Sequence, residues 1–148
     1  IKDMRIMTSE RLELFIRPSR QVKADSIRIH HLRSMDVVNG LEPQHAIQKF
    51  LDFVGSRPLV GYYLEFDVAM LNRLVLPFLG VPLPQTKIEV SGLYYDYKIS
   101  QHEGGNVDLS FHHILQDLQL PEREEHDAFN DALMTAMMFI KLKRLLKK

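Results

Sequence analysis

Apolar and polar positions alternate along the first stretch of the chain, with Met4, Ile6, Leu12, Leu14 and Ile16 set around a polar Thr8-Ser9-Glu10. A period of two predicts strand, so residues 1–17 read as a hairpin of two antiparallel strands. Beyond Pro18 a short helical piece is expected over about residues 24–31. Pro43 then opens an amphipathic helix whose apolar stripe is Ala46, Phe50, Leu51 and Val54. Gly55-Ser56-Arg57-Pro58 breaks it, and Leu59-Val60-Gly61-Tyr62-Tyr63 is short, apolar and β-prone, as a buried strand is.

Val68, Leu71, Val75 and Phe78 recur at helical spacing until Gly80, Pro82 and Pro84 end the element. Lys87 to Val90 predicts a further strand and Leu93 to Ile99 a helix. His102-Glu103-Gly104-Gly105-Asn106 reads as a loop, and Ser110 as the cap of a helix carrying Phe111, Ile114, Leu115 and Leu118. The last helix is the longest. It has one stripe of Phe129, Ala132, Leu133, Ala136, Met137 and Ile140 and a second of Met134, Met138, Leu142 and Leu145, so it is expected to be largely buried. A hairpin followed by strands alternating with helices predicts an α/β fold, a mixed sheet flanked by helices. Residues 1–148 are expected to form one domain, with no repeat, low-complexity tract or linker.

Composition narrows the chemistry. Cysteine is absent, which excludes disulfides, thiolate zinc sites and cysteine nucleophiles, so any metal is held by oxygen or imidazole. The 19 basic and 19 acidic residues cancel, which argues against wrapping long duplex DNA but leaves room for gripping one strand end. Basic residues cluster at Arg17, Arg20, Lys23, Arg28 and Arg33 and again at Lys141, Lys143, Arg144, Lys147 and Lys148, a pattern that a solvated face also explains. No apolar run is long enough to span a bilayer and no signal-peptide pattern opens the chain, so a cytoplasmic protein without a membrane partner is expected.

Two segments stand out as chemistry. In His126-Asp127-Ala128-Phe129-Asn130-Asp131-Ala132, His126 and Asp131 are five positions apart. On a continuous helix that offset turns them about 140° from each other, so they converge only if His126 lies in the loop and Asp131 in the first turn, with Asp127 as the N-cap. Asp131 heads an otherwise apolar row through Met134 and Met138. A carboxylate there needs a cation or dense hydrogen bonding, although it also suits the helix dipole. The second segment is Leu59 to Val68, where a buried strand turns straight into a helix and leaves Asp67 near its N-terminus, by the end of the strand where open α/β sheets place their sites. Asp67 is equally well a helix cap, and paired with Asp131 it is half of a carboxylate metal site.

These blocks, with the hairpin and the Ile29-His30-His31-Leu32 segment, resemble the DEDDh 3′–5′ exonucleases, the family that includes bacterial polymerase proofreading subunits. The similarity runs over essentially the whole chain in family order. It implies a ribonuclease H-like fold and hydrolysis that releases nucleoside 5′-monophosphates from a nucleic-acid 3′ end. Residue by residue, Asp67 and Asp131 match two metal-binding aspartates and His126 the histidine that acts as general base. His30 and Phe66 match positions lining the pocket for the terminal nucleotide. The implied cofactors are two divalent ions, Mg²⁺ or Mn²⁺. The implied partners are a single-stranded 3′ end and, for proofreading members, a DNA polymerase catalytic subunit.

The sequence departs from the family in containing no Asp-x-Glu, the pair that belongs on an opening strand ahead of the hairpin. Two carboxylates alone do not support a two-ion mechanism. The expectation is therefore a single exonuclease domain lacking its first strand here, with the intact protein extending upstream. The alternative is a non-catalytic exonuclease-like module that binds a polymerase or another protein. A lesser departure is Tyr62-Tyr63, where relatives often carry histidine and asparagine.

Overall fold

The computed structural model describes residues 1–17, 38–101, 105–123 and 127–147. The expected helical piece over 24–31, the start of the loop at 102–104, and two of the candidate site residues, His30 and His126, lie outside the described residues. The elements run α1 (Pro43–Val54), β1 (Leu59–Gly61), α2 (Leu64–Leu79), β2 (Lys87–Glu89), α3 (Val90–Ser100), α4 (Phe111–Asp117) and α5 (Ala128–Leu145). The chain divides into two compact units. One comprises Ile1–Ser9, Pro58–Glu65 and Thr86–Lys148, the other Glu10–Arg57 and Phe66–Gln85. No helix among the described residues is long and apolar enough to cross a membrane.

The first unit is built around two parallel strands and three helices. β1 and β2 pair in the register Leu59↔Lys87, Val60↔Ile88, Gly61↔Glu89, the arrangement that follows when a helix joins consecutive strands. α5 packs on α3, β1 and α4. Its Met134, Met138 and Leu142 are fully buried with Val90 and Tyr94 of α3 and Ile114, Leu115 and Leu118 at α4. Each such side chain contributes about 1.5–3 kcal/mol of apolar burial. Tyr94 is buried with its hydroxyl satisfied, donating to Asp117 Oδ2 at 2.9 Å. The Lys98 ammonium reaches the same oxygen at 3.5 Å.

The longest helix does not bury both of its apolar stripes. Met134, Met138 and Leu142 form the core face, with Leu145 half-buried; on the other stripe Ile140 is buried, whereas Phe129, Leu133, Ala136 and Met137 are only half-buried and Ala132 is exposed. Ser110 occupies the expected cap position of α4, yet its hydroxyl makes no capping bond. Its N–H instead donates to Asp108 Oδ1 at 2.9 Å.

The hairpin expected over residues 1–17 is not formed. Lys2 and Arg5 exchange backbone hydrogen bonds at 2.9 Å around Asp3 and Met4, both at positive φ, so the chain reverses four residues in and leaves no first strand for a hairpin. The alternation farther on reflects real one-sided burial, with Leu12 and Leu14 half-buried and Glu13 and Phe15 exposed. Its backbone partner is Leu41, however. Arg17 N–H donates to Leu41 O and Leu41 N–H to Phe15 O, each at 2.8 Å, a parallel bridge within the second unit. Period two reports which side is buried and leaves the partner open.

The second unit holds α1, with Pro43 in its first turn and Ala46, Ile47 and Val54 buried. Gly55 at φ 55° closes the helix by donating its N–H to Leu51 O at 2.8 Å. α2 ends in the same way, Gly80 at φ 74° donating to Leu76 O at 2.8 Å. The loop after it is tied down by two side-chain amides, Asn72 Oδ1 accepting Leu83 N–H at 2.8 Å and Gln85 Nε2 donating to Gly55 O at 2.9 Å.

Candidate functional site

The local geometry begins where β1 ends. Gly61 pairs with Glu89, so the chain leaving β1 and the side chain at the end of β2 meet at one level. A Cβ on Gly61 would stand 2.7 Å from Leu64 Cδ1 and 2.9 Å from Leu64 Cβ, so a larger residue there would make the Leu64 side chain shift. Glu89 brings a carboxylate to that turn. Its Oε1 accepts the Tyr63 N–H at 3.2 Å and its Oε2 the Leu64 N–H at 2.9 Å. On the other side it is the N-cap of α3, with Oε1 accepting Ser91 N–H at 3.2 Å and the Ser91 hydroxyl at 2.8 Å. One side chain therefore serves the first free N–H groups of two helices, where the positive end of each helix dipole favours it. Sequence reasoning missed Glu89. Its one signal was position, a lone acid at the carboxyl end of a predicted strand.

Tyr63 leaves that turn at φ 50° with its ring exposed. The neighbouring Tyr62 points inward, donating its hydroxyl to Leu109 O at 2.9 Å and meeting the Phe111 ring edge-on at 5.0 Å. Burial pushes the Tyr62 phenol above its ordinary value, and Tyr63, Glu89 and Asp108 add to this, against the Phe111 N–H, which favours the phenolate. Asp108, by contrast, is held below the ordinary carboxylate range by the Ser110 N–H and hydroxyl, with His113 contributing.

Two of the expected carboxylates fall on described helices. Asp67 is the fourth residue of α2, exposed, in the second unit. Asp131 is in the first turn of α5, half-buried, in the first unit. The expected N-cap of α5 is present: Asp127 accepts the Asn130 N–H at 3.0 Å, and its carbonyl accepts the Asp131 N–H at 2.9 Å. Phe66, expected against a nucleotide, is 70 % exposed at the start of α2. Among the described residues, no three His, Asp or Glu side chains lie close enough together to hold a metal ion. In kind, carboxylate oxygens with no thiolate suit a hard ion such as Mg²⁺ or Mn²⁺.

The sequence model of the family described as Exonuclease matches residues 1–139. No curated protein matches the chain.

Proposed function

This chain belongs to the exonuclease family, and on that premise we propose that it is a metal-dependent 3′–5′ exonuclease of the proofreading or repair type, releasing nucleoside 5′-monophosphates from the 3′ end of single-stranded DNA. Membership gives the fold class, ribonuclease H-like α/β, and the activity class, nucleic-acid phosphodiester hydrolysis in a family that generally uses divalent metals. The direction of cutting, the DNA substrate and the residue roles are our reading, as is the treatment of residues 1–148 as one exonuclease domain.

Asp67 and Asp131 would hold the divalent ions. The family's carboxylate set is completed by an Asp-x-Glu pair, which the reaction requires and these 148 residues do not contain. When bound, divalent ions would supply Lewis acidity for water activation and positive charge against the phosphodiester. His126 takes the water's proton, a role suited to a group that ordinarily titrates near neutral pH. His30 and Phe66 line the pocket of the terminal nucleotide. Contacts to phosphate and to the terminal hydroxyl carry no base identity, so little sequence preference is expected.

The observation that carries this reading is Asp131, a half-buried carboxylate one turn into a helix capped by Asp127. Position 126 directly precedes the cap in sequence. A 3′-labelled single-stranded oligonucleotide incubated with Mn²⁺ or with chelator, alongside His126→Ala and Asp131→Asn, tests it. In protein that carries the Asp-x-Glu strand, metal-dependent release of mononucleotides is expected, falling about 100-fold or more in each variant. Release undiminished in both variants overturns the assignments, and binding without any release is the behaviour of the non-catalytic module.

A further inference from the structure

Among the described residues, four other than glycine have positive φ: Asp3, Met4, Tyr63 and Gln119. Three are accounted for by backbone turns. Asp3 and Met4 form the reversal between Lys2 and Arg5, and Gln119 follows the last residues of α4, where a left-handed residue commonly ends a helix. Tyr63 is different. A bulky residue in that region is disfavoured, and such outliers persist where surrounding bonds over-determine them and cluster at binding sites.

At Tyr63 the over-determination is visible. The Glu89 carboxylate accepts the N–H groups of Tyr63 and Leu64 at 3.2 and 2.9 Å, fixing the backbone on both sides of the side chain. Tyr62, anchored by its hydrogen bond to Leu109 O, meets the Tyr63 ring edge-on, with centroids 4.8 Å apart and planes at 84°. Tyr62 can cover at most one face of its neighbour, and the Tyr63 residue is 68 % exposed. The strain and the capping bonds therefore hold an aromatic ring in water at the carboxyl ends of two parallel strands, the edge of an open α/β sheet where ligands bind. Beyond the edge contact with Tyr62 the exposed ring gains little from packing: an asparagine would take the same backbone at less strain and leave no apolar face exposed.

We infer that Tyr63 is a stacking residue for an unpaired nucleobase, with Glu89 as its positioning residue. This rests on the reading that the chain takes single-stranded nucleic acid. A planar π-face suits every base, so the contact adds affinity for a strand end without selecting sequence, and a duplex, whose bases are already stacked, gains nothing from it.

The test is equilibrium binding at fixed salt and with chelator, so that nothing is cut, using a fluorescently labelled single strand and the same strand abasic at its 3′-terminal positions. Wild type is compared with Tyr63→Phe, Tyr63→Leu and Tyr63→Asn. Loss of the ring in the Leu and Asn variants is expected to weaken binding to the intact strand about tenfold, with Phe within about twofold of wild type. On the abasic strand all four proteins should bind alike. Tyr63→Asn should also melt no lower than wild type, because it relieves the backbone, which separates lost stacking from lost folding. If wild type binds and the Leu and Asn variants match it, or lose as much on the abasic strand, the stacking role is overturned. If wild type does not bind either strand, the nuclease reading falls and takes this inference with it.

Discussion

Glu89 Oε2 accepts the backbone N–H of Leu64 at 2.9 Å, so a carboxylate at the end of β2 holds the first residue of α2 while capping α3. Losing that side chain uncaps two helices at once. Glu89→Ala is expected to cost about 2 kcal/mol, roughly one cap's worth per helix, and Glu89→Gln less, because an amide oxygen still accepts. Urea unfolding should show a lower midpoint with unchanged slope. An Ala variant as stable as wild type would mean that water replaces the carboxylate without loss.

Tyr62 makes the fold less stable at alkaline pH. Burial raises its phenol above 10.0, so the folded state favours the neutral form. That contribution is fully present below the ordinary tyrosine value and is lost as pH rises through the raised one. Tyr62→Phe should cost about 1 kcal/mol near neutral pH for the lost hydrogen bond to Leu109 O. It should also flatten the fall in stability above about pH 10. Urea midpoints across that range measure both, and equal slopes for the two proteins would contradict the account.

Two glycines should respond with opposite sign to the same methyl group. A Cβ on Gly40 would lie 2.8 Å from Arg17 N and 2.9 Å from Ile16 C and Phe15 O, all backbone. Gly40→Ala is therefore expected to cost about 1–3 kcal/mol and to loosen the bridge to Leu41. Gly92 lies inside α3 with nothing within 4 Å of such a Cβ, so Gly92→Ala should stabilise by up to about 1 kcal/mol. Thermal melts of the pair decide it.

Along α5, Met138→Ala should open a cavity and cost about 2–5 kcal/mol, because Met138 is fully buried. Met137→Ala, half-buried on the other stripe, should cost clearly less. Similar losses at both positions would mean that the second stripe is covered as fully as the first.

These positions also show how far the sequence was legible. Helices with a stripe and a stop were readable because their hydrogen bonds are local: α1 runs from Pro43 to Val54 ahead of Gly55, α2 ends at Gly80, and Asp127 caps α5 as its spacing predicted. Strand pairing was not, because Leu12 and Leu14 record a half-buried side without recording that Leu41 is the backbone partner of this segment. At the candidate site, Asp67 and Asp131 were found as acids at helix starts. Glu89 was invisible for the same reason as Leu41, since what it does depends on Tyr63 and Leu64, 26 and 25 positions away.

The central claim, hydrolysis from a 3′ end, is tested most directly by offering protein that carries the Asp-x-Glu strand, with Mn²⁺, a 5′-labelled linear single strand and a covalently closed circle of the same sequence. The account predicts a ladder of linear products shortened from the 3′ end, nucleoside 5′-monophosphates as the released product, an intact circle, and no reaction with chelator. Cutting of the circle, or loss of the 5′ label as the first product, would contradict it.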